Sequence, residues 1–295
     1  MAKLNLQGCG TALVTPFKNG KVDYDAFRKM AARQIKSGVD FLVPLGTTGE
    51  TPCLSNEERI EILKIAKEEA AGKPVIVGGG TNSLQDTIAA MKVLEPYGPD
   101  AFLIVVPYYN KPTQEGLYQY FKAVAASTKK PIIMYNVPGR TGSNMTSATC
   151  LRLAKEIPNI VAVKEASGKY DQVSAILREA PKGFQVLSGD DDMTLAFMAT
   201  GAAGVISVAS NIAPREVSNM THRALKGDFK NARALHHRLW PLFKACFVES
   251  NPVPAKAALA SMKLCRNELR LPLVPAAKET EKLMKSVIRE LIINY

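Results

Sequence analysis

Short apolar runs that recur about every thirty residues are the feature of this chain that most constrains its fold. Each run is followed by a polar or glycine-containing turn and then by a stretch of helical periodicity, which is typical of repeated βα units. The runs that we predict as strands are Thr11–Thr15, Phe41–Leu45, Pro74–Val77, Ala101–Val106, Pro131–Tyr135, Ile160–Lys164, Gln185–Ser188 and Gly204–Val208. About eight parallel strands are needed to close a (β/α)₈ TIM barrel, so we predict this α/β fold.

The residues between the runs support this prediction. Asp23 and Ser83 have the side chains of helix N-caps, and Ser55 with Glu58 has the pattern of a capping box. Alternating patterns that would indicate β-hairpins are absent. A doubly wound sheet is the alternative, but it requires G-x-G-x-x-G at the first turn, and Gly8–Gly10 reads only G-C-G.

The C-terminal part reads as helix from about Pro214 to Tyr295. Its predicted breaks lie near Gly227, Asn251-Pro252 and Leu271-Pro272. One closing helix does not need so much chain, so we predict a barrel with the active site in residues 1–224 and a C-terminal helical extension in residues 225–295. Nothing between the two is rich enough in Gly, Ser or Pro to indicate a freely moving domain.

The formal net charge of +11 raises the question of a nucleic-acid partner. Nucleic-acid binding needs clustered basic residues interleaved with aromatic ones. Here Lys and Arg mostly lie at helical spacing beside Glu, as in residues 57–59 and 64–69. We therefore predict no nucleic-acid partner and expect the excess charge to attract anionic substrates or to aid solubility.

Cysteine usage and apolar stretches indicate a cytoplasmic protein. The five cysteines are scattered and never spaced as C-x-x-C, so we predict reduced thiols, without disulfides or a zinc site. No apolar stretch approaches the roughly 20 residues of a membrane-spanning helix, and the N-terminus has no apolar signal core. His222, His236 and His237 are predicted to be surface or packing residues rather than catalysts.

The loops after the predicted strands contain the candidate site residues. In a (β/α)₈ barrel, functional side chains lie at the C-terminal ends of the strands. The motifs found there are GTTGE (Gly46–Glu50), GGGTN (Gly78–Asn82), PYYNKP (Pro107–Pro112), YNVPGRTG (Tyr135–Gly142), KEASG (Lys164–Gly168) and SGDD (Ser188–Asp191). We expect these loops to meet at one end of the barrel.

Lys164 closes the sixth predicted strand. Strict alternation places it on the same face as Ile160 and Ala162, with Val161, Val163 and Glu165 on the other face. If that face points into the barrel, desolvation lowers the lysine pKa from about 10.4, and a neutral amine forms Schiff bases with ketones. A lysine whose ammonium extends to solvent is the alternative.

Three hydroxyl groups have positions suited to a proton relay. Schiff-base formation needs protons delivered and removed at one carbon, which hydroxyls can do. Tyr135 closes the strand next to that of Lys164, and Thr47 could link it to another tyrosine such as Tyr109. Singly, each residue is as well explained by packing or turn formation.

Two further features point to anionic substrates. Thr47 and Thr48 lie in a glycine-bounded turn before a helix, where backbone N–H groups and hydroxyls can hold a carboxylate. Arg140 can form a forked pair with a second carboxylate, although it could also be an ordinary surface arginine.

Six motifs occur together in one order and spacing. They are G-T-T-G-E at Gly46, Y-Y-N at Tyr108, Y-N-V-P-x-R-T-G at Tyr135, V-K-E-A-S-G at Val163, S-G-D-D at Ser188 and G-V-I-S-V at Gly204. Through these motifs, the chain resembles the dihydrodipicolinate synthase family within the N-acetylneuraminate lyase superfamily of class I aldolases. The resemblance extends over essentially its whole length.

The resemblance implies a lyase of diaminopimelate and lysine biosynthesis. Lys164 would form the Schiff base with pyruvate, and Tyr135, Thr47 and Tyr109 would form the proton relay. The product of condensation with L-aspartate 4-semialdehyde would be 4-hydroxy-tetrahydrodipicolinate, without a metal or cofactor. In this family the residue matching Tyr109 reaches into the neighbouring subunit's site, which implies a homotetramer built as a dimer of dimers.

The resemblance also implies the substrate-binding residues. Thr48 would hold the pyruvate carboxylate, the Ile206 carbonyl and Gly189 would border the pocket, and Arg140 would bind the carboxylate of the aldehyde. N-acetylneuraminate lyase and 2-keto-3-deoxy sugar-acid aldolases share the lysine and tyrosine but act on polyhydroxylated aldehydes, so they remain alternatives that Arg140 disfavours. An oxo-acid-binding sensor or scaffold on the same fold is a non-enzymatic alternative.

Many family members are inhibited by lysine in a cleft on the dimer interface. Asn82, Asp86 and Tyr108 match residues of that cleft. Arg59 departs from the pattern, since inhibited members usually carry His or Glu there. A guanidinium would repel the cationic amino acid, so we predict weak or absent inhibition by lysine.

Overall fold

A computed structural model describes residues 4–293, and its centre is a barrel of eight parallel strands. The strands of the described part are β1 (Gly8–Ala12), β2 (Phe17–Lys18), β3 (Lys21–Val22), β4 (Phe41–Val43), β5 (Ile76–Gly78), β6 (Ala101–Val105), β7 (Ile132–Asn136), β8 (Ile160–Glu165), β9 (Gln185–Ser188) and β10 (Gly204–Ser207). The sheet order is β4-β1-β10-β9-β8-β7-β6-β5, and a parallel bridge between Leu42 and Val75 brings its two edges together. The predicted barrel is confirmed, and the doubly wound alternative is excluded.

Helices cover the outside of the barrel and form the C-terminal region. Those described are α1 (Tyr24–Lys36), α2 (Asn56–Glu69), α3 (Leu84–Leu94), α4 (Gln114–Ala126), α5 (Pro138–Thr141), α6 (Ser147–Glu156), α7 (Tyr170–Glu179), α8 (Thr194–Ala199), α9 (Pro214–Leu225), α10 (Phe229–Ala245), α11 (Val253–Ser261) and α12 (Lys278–Ile293). The three predicted caps are confirmed: Asp23 and Ser83 accept backbone N–H bonds, and Ser55 with Glu58 forms the capping box.

The first strand begins at Gly8 rather than at Thr11 as predicted. Its glycines explain the error, because they weaken the apolar signal of the run while allowing a close approach to the neighbouring chain. A Cβ atom on Gly8 would lie 2.0 Å from the Asp40 carboxylate, and one on Gly10 would lie 1.9 Å from the Phe41 ring. G-C-G is therefore part of a tightly packed strand.

A small hairpin lies between β1 and α1, although the sequence shows no alternating hairpin pattern. β2 and β3 pair antiparallel, with Phe17 opposite Val22, and Asn19-Gly20 forms the turn with φ angles of 56° and 77°. Asn-Gly is a strong signal for such a turn because both residues tolerate positive φ. The strands are too short for an alternating pattern to be read from the sequence.

The C-terminal region packs on the barrel through a shared apolar core. Cys9 and Val205 of the barrel belong to the same buried cluster as Leu239, Phe243 and Met284. The predicted breaks at Gly227, Asn251-Pro252 and Leu271-Pro272 are confirmed. The last break is longer than predicted, because residues 262–277 form turns and irregular backbone. The last two residues of the predicted helical stretch lie outside the described residues.

Two further observations concern membrane-spanning helices and the cysteines. Among residues 4–293, no helix combines the length and the apolar character that crossing a membrane requires. All five cysteines lie in the described part and are free thiols, as predicted.

Candidate active site

Lys164 lies at the C-terminal end of β8 and is 6% exposed. A register shift between β7 and β8 pairs Ile132 with Ile160 but Ile133 with Ala162. Ile160 consequently packs in the layer between barrel and helices, whereas Ala162 packs inside the barrel. The prediction that Lys164 shares a face with Ile160 is wrong, and the shared face with Ala162 is confirmed.

Tyr135 lies directly beside this lysine. It is the register partner of Lys164 on β7, and its ring belongs to the cluster inside the barrel. The Lys164 Nζ atom lies 4.2 Å from the centroid of the Tyr135 ring. The structure thus brings together an amine and a phenol in a buried setting, as Schiff-base chemistry requires.

The residues that follow Tyr135 and Lys164 are hydrogen-bonded to each other behind the site. Asn136 Nδ2 lies 3.1 Å from both carboxylate oxygens of Glu165, and Gln172 Nε2 donates to Glu165 Oε2 at 3.0 Å. Burial raises the pKa of Glu165, and these hydrogen bonds oppose that shift. The network fixes the ends of β7 and β8 relative to each other, and with them both candidate catalytic side chains.

Gly189, directly after β9, leaves room for the lysine. A Cβ atom on it would lie 3.0 Å from Lys164 Cε and 2.6 Å from Ala166 Cβ. Its N–H donates to the Glu165 carbonyl at 2.7 Å. Ile206, on β10, is fully buried inside the same barrel. Both predicted pocket residues therefore lie in the barrel, and Gly189 is close to the lysine side chain.

Asp190, which lies in the SGDD motif after β9, is a further ionisable residue of the site. The sequence offers no separate reason to select it. Burial, and next the charge of Asp192, raise its pKa to about 6, while the charge of Lys164 opposes the shift. The carboxyl gains its proton as the pH falls through about 6. The coupling to Lys164 makes Asp190 part of the electrostatic environment of the amine.

The GTTGE motif forms a 3₁₀ turn, Thr47–Gly49, after β4. Thr47 is exposed, whereas Thr48 is 2% exposed and its Oγ1 accepts a hydrogen bond from Asn251 Nδ2 at 2.9 Å. Because Asn251 is the donor, the Thr48 hydroxyl keeps its own proton for an acceptor such as a carboxylate.

Asn251 also connects this turn to Arg140. The exposed guanidinium of Arg140 donates through Nη2 to the Asn251 carbonyl at 3.3 Å. Asn251 is not predictable as a site residue from the sequence, because its only signal there is the helix break before Pro252. The C-terminal region therefore contributes directly to the candidate site.

Tyr109 projects away from the chain. It is 88% exposed and its backbone has a positive φ of 72°. No hydrogen bond joins the side chains of Tyr135, Thr47 and Tyr109 in the part of the chain that the structure describes. The predicted relay is therefore not assembled within a single chain.

The predicted effector residues lie near the surface. Asn82 is half-buried before α3, Asp86 is exposed in its first turn, and Tyr108 is exposed in the loop after β6. Arg59 of α2 donates through Nη2 to the Thr51 carbonyl at 3.0 Å, and burial lowers its pKa.

Comparison with known proteins agrees with this geometry. Residues 5–291 match the model of the Dihydrodipicolinate synthetase family. Two proteins named 4-hydroxy-tetrahydrodipicolinate synthase are each 48% identical to this chain. The match with the protein from Thermotoga neapolitana covers 96% of this chain and 98% of that protein, and the match with the protein from Parabacteroides distasonis covers 100% of both. The crystal structure of dihydrodipicolinate synthase from Thermotoga maritima superposes with a TM-score of 0.96 at 44% identity, covering 97% of this chain and 99% of that one. The chain therefore belongs to the dihydrodipicolinate synthetase family.

Proposed function

We propose that this chain is a lyase that condenses pyruvate with L-aspartate 4-semialdehyde to give 4-hydroxy-tetrahydrodipicolinate, in diaminopimelate and lysine biosynthesis. The observation that carries the proposal is the buried Lys164 beside Tyr135 at the C-terminal end of the barrel. Family membership over nearly the whole chain supports it.

In the proposed reaction, the Lys164 amine attacks the keto carbon of pyruvate, and the carbinolamine loses water to give an imine. Loss of a methyl proton gives the enamine, whose carbon adds to the aldehyde carbon. The amino group of the bound aldehyde substrate then attacks the imine carbon, which closes the ring and releases Lys164. Tyr135 transfers the protons, with Thr47 and Tyr109 as further hydroxyls of the relay.

The substrate carboxylates are assigned to two different groups. Thr48 would hold the pyruvate carboxylate through its free hydroxyl proton and the backbone N–H groups of its turn. Arg140 would bind the carboxylate of the aldehyde, since its planar guanidinium can form two parallel hydrogen bonds. Gly189 and the Ile206 carbonyl would border the keto acid.

We further propose that Tyr109 completes the relay of a second subunit. An exposed tyrosine in the left-handed region costs about 1 kcal/mol of backbone strain, which contacts within an assembly can offset. A two-fold dimer would place each Tyr109 in the other subunit's site, and two dimers would form the tetramer. The same proposal assigns catalysis to a barrel of residues 1–224 and describes residues 225–295 as its extension. It also includes a cytoplasmic location.

Substrate turnover tests the function directly. Pyruvate with L-aspartate 4-semialdehyde should give 4-hydroxy-tetrahydrodipicolinate, identified by mass spectrometry. A sugar-derived aldehyde should react with a kcat/KM at least about a hundredfold lower, because it lacks the carboxylate that Arg140 would bind. The proposal is contradicted if the sugar-derived aldehyde reacts and aspartate semialdehyde does not.

Lysine is expected to inhibit weakly or not at all. In the proposed effector cleft, the Arg59 guanidinium would face the ammonium groups of lysine, and like charges repel. Initial rates should stay within about twofold of the uninhibited rate up to about 1 mM lysine. Arg59→Glu, which replaces the repelling charge by an attracting one, is the matched variant and should show stronger inhibition. Strong inhibition of the natural chain by micromolar to millimolar lysine would refute this prediction.

A further inference from the structure

Glu50, the last residue of the GTTGE motif, is a buried charge that the proposed mechanism does not use. It is 3% exposed, and its backbone has a left-handed φ of 51°. Burial has an energetic cost, because an ionised carboxylate is stable inside a protein only when it is paired and hydrogen-bonded. The left-handed backbone adds conformational strain. The residue directly follows the Thr47–Gly49 turn, so its position and that of the turn depend on each other.

Both carboxylate oxygens of Glu50 are held by the C-terminal region. Lys256 of α11, which is 0% exposed, forms an ion pair with Oε1, and the backbone N–H of Arg270 donates to Oε2 at 3.1 Å. Lys256 Nζ also donates to the Glu268 carbonyl at 2.9 Å and lies 4.0 Å from the centroid of the Phe17 ring. The pair is thus held by one further hydrogen bond to Glu50 and by two further contacts of Lys256.

The turn has few hydrogen bonds of its own. The Gly49 N–H donates to the Gly46 carbonyl at 3.0 Å, and the Glu50 N–H donates to the Thr47 carbonyl at 3.1 Å. A 3₁₀ turn of this length is short and has poorer hydrogen-bond geometry than an α-helix, so its shape depends on contacts from outside.

The same C-terminal segment contacts the turn a second time. Asn251, just before α11, donates to the Thr48 hydroxyl, while Lys256 within α11 pairs with Glu50. The segment from Asn251 to Lys256 therefore contacts the turn at Thr48, the residue assigned to the pyruvate carboxylate. It contacts the GTTGE motif again at Glu50. A shift of α11 would move both contacts together.

We propose that Glu50 and Lys256 are positioning residues, whose buried ion pair holds the Thr47–Thr48 turn in the shape that binds the carboxylate of the keto acid. This inference rests on the proposed function of that turn. Neither residue touches the substrate. Loss of the pair lets the turn shift, which weakens binding of pyruvate much more than binding of the aldehyde.

A double variant tests the pair without leaving a buried charge unpaired. Glu50→Gln with Lys256→Met removes both charges at similar side-chain volume, whereas either change alone would leave one charge buried and endanger folding. We expect the double variant to fold, with the KM for pyruvate raised about tenfold or more and the KM for the aldehyde changed less than about threefold. Hydrogen–deuterium exchange should become faster at the amides of residues 46–51.

The control is His222→Ala, which removes the hydrogen bond between His222 Nε2 and the Asp40 carboxylate at the N-terminal end of the barrel. It should leave both KM values and the exchange of the turn unchanged. A wild-type KM for pyruvate in the double variant, or an equal rise of both KM values, overturns the inference. So does the same effect in the control. If the natural chain forms no adduct with pyruvate, the proposed function fails, and the exchange comparison still decides whether the pair holds the turn.

Discussion

Lys164→Ala is expected to abolish the pyruvate adduct that borohydride traps and to lower kcat by at least about a thousandfold. The physical reason is that alanine removes the amine that would form the carbon–nitrogen bond, while the pocket around it remains. Borohydride treatment with pyruvate, followed by peptide mass mapping, measures the adduct, and a coupled assay measures the rate.

Lys169→Ala is the matched control for this variant. Lys169 lies in the loop that follows β8 and is exposed, so its removal should change neither the adduct nor the rate. An adduct at another lysine of the natural chain, or turnover that survives in Lys164→Ala, would show that the chemistry has been assigned to the wrong residue. An oxo-acid-binding protein without catalysis would also be recognised, because it would bind pyruvate without turnover.

Gly189→Ala is expected to lower kcat by about a hundredfold. The new Cβ atom would lie within 3.0 Å of Lys164 Cε, so the lysine must leave its position or the strand end must shift. Displacement of a reacting group by about 1 Å is enough for a loss of this size. The rate of borohydride labelling at Lys164 measures the effect on the lysine directly.

Thermal unfolding distinguishes this local effect from a failure to fold. The melting temperature of Gly189→Ala should fall by only a few degrees, and Gly189→Val should lose more activity than Gly189→Ala because its side chain is larger. Ala166→Gly removes the other close neighbour, so adding it to Gly189→Ala should restore part of the labelling rate. Wild-type labelling in Gly189→Ala would disprove the role assigned to this glycine.

Strand existence and order could be read from the sequence because buried parallel strands are continuous apolar runs. The first strand begins before its apolar run because its glycines carry no apolar signal, and the β2–β3 hairpin has no readable pattern because each of its strands has only two residues. Helix starts were predictable for a related reason, since the caps Asp23, Ser55 and Ser83 bond to backbone groups within a few residues.

The barrel and the set of loops at its C-terminal end follow from local features of the chain, because strand periodicity, caps and turns act between residues close in sequence. Which side chains meet depends on long-range packing. The inward face of Lys164 depends on a register shift between two strands, and Asn251 reaches Thr48 across a separation of 203 residues. Such contacts are made by packing of the whole chain, so no local pattern encodes them.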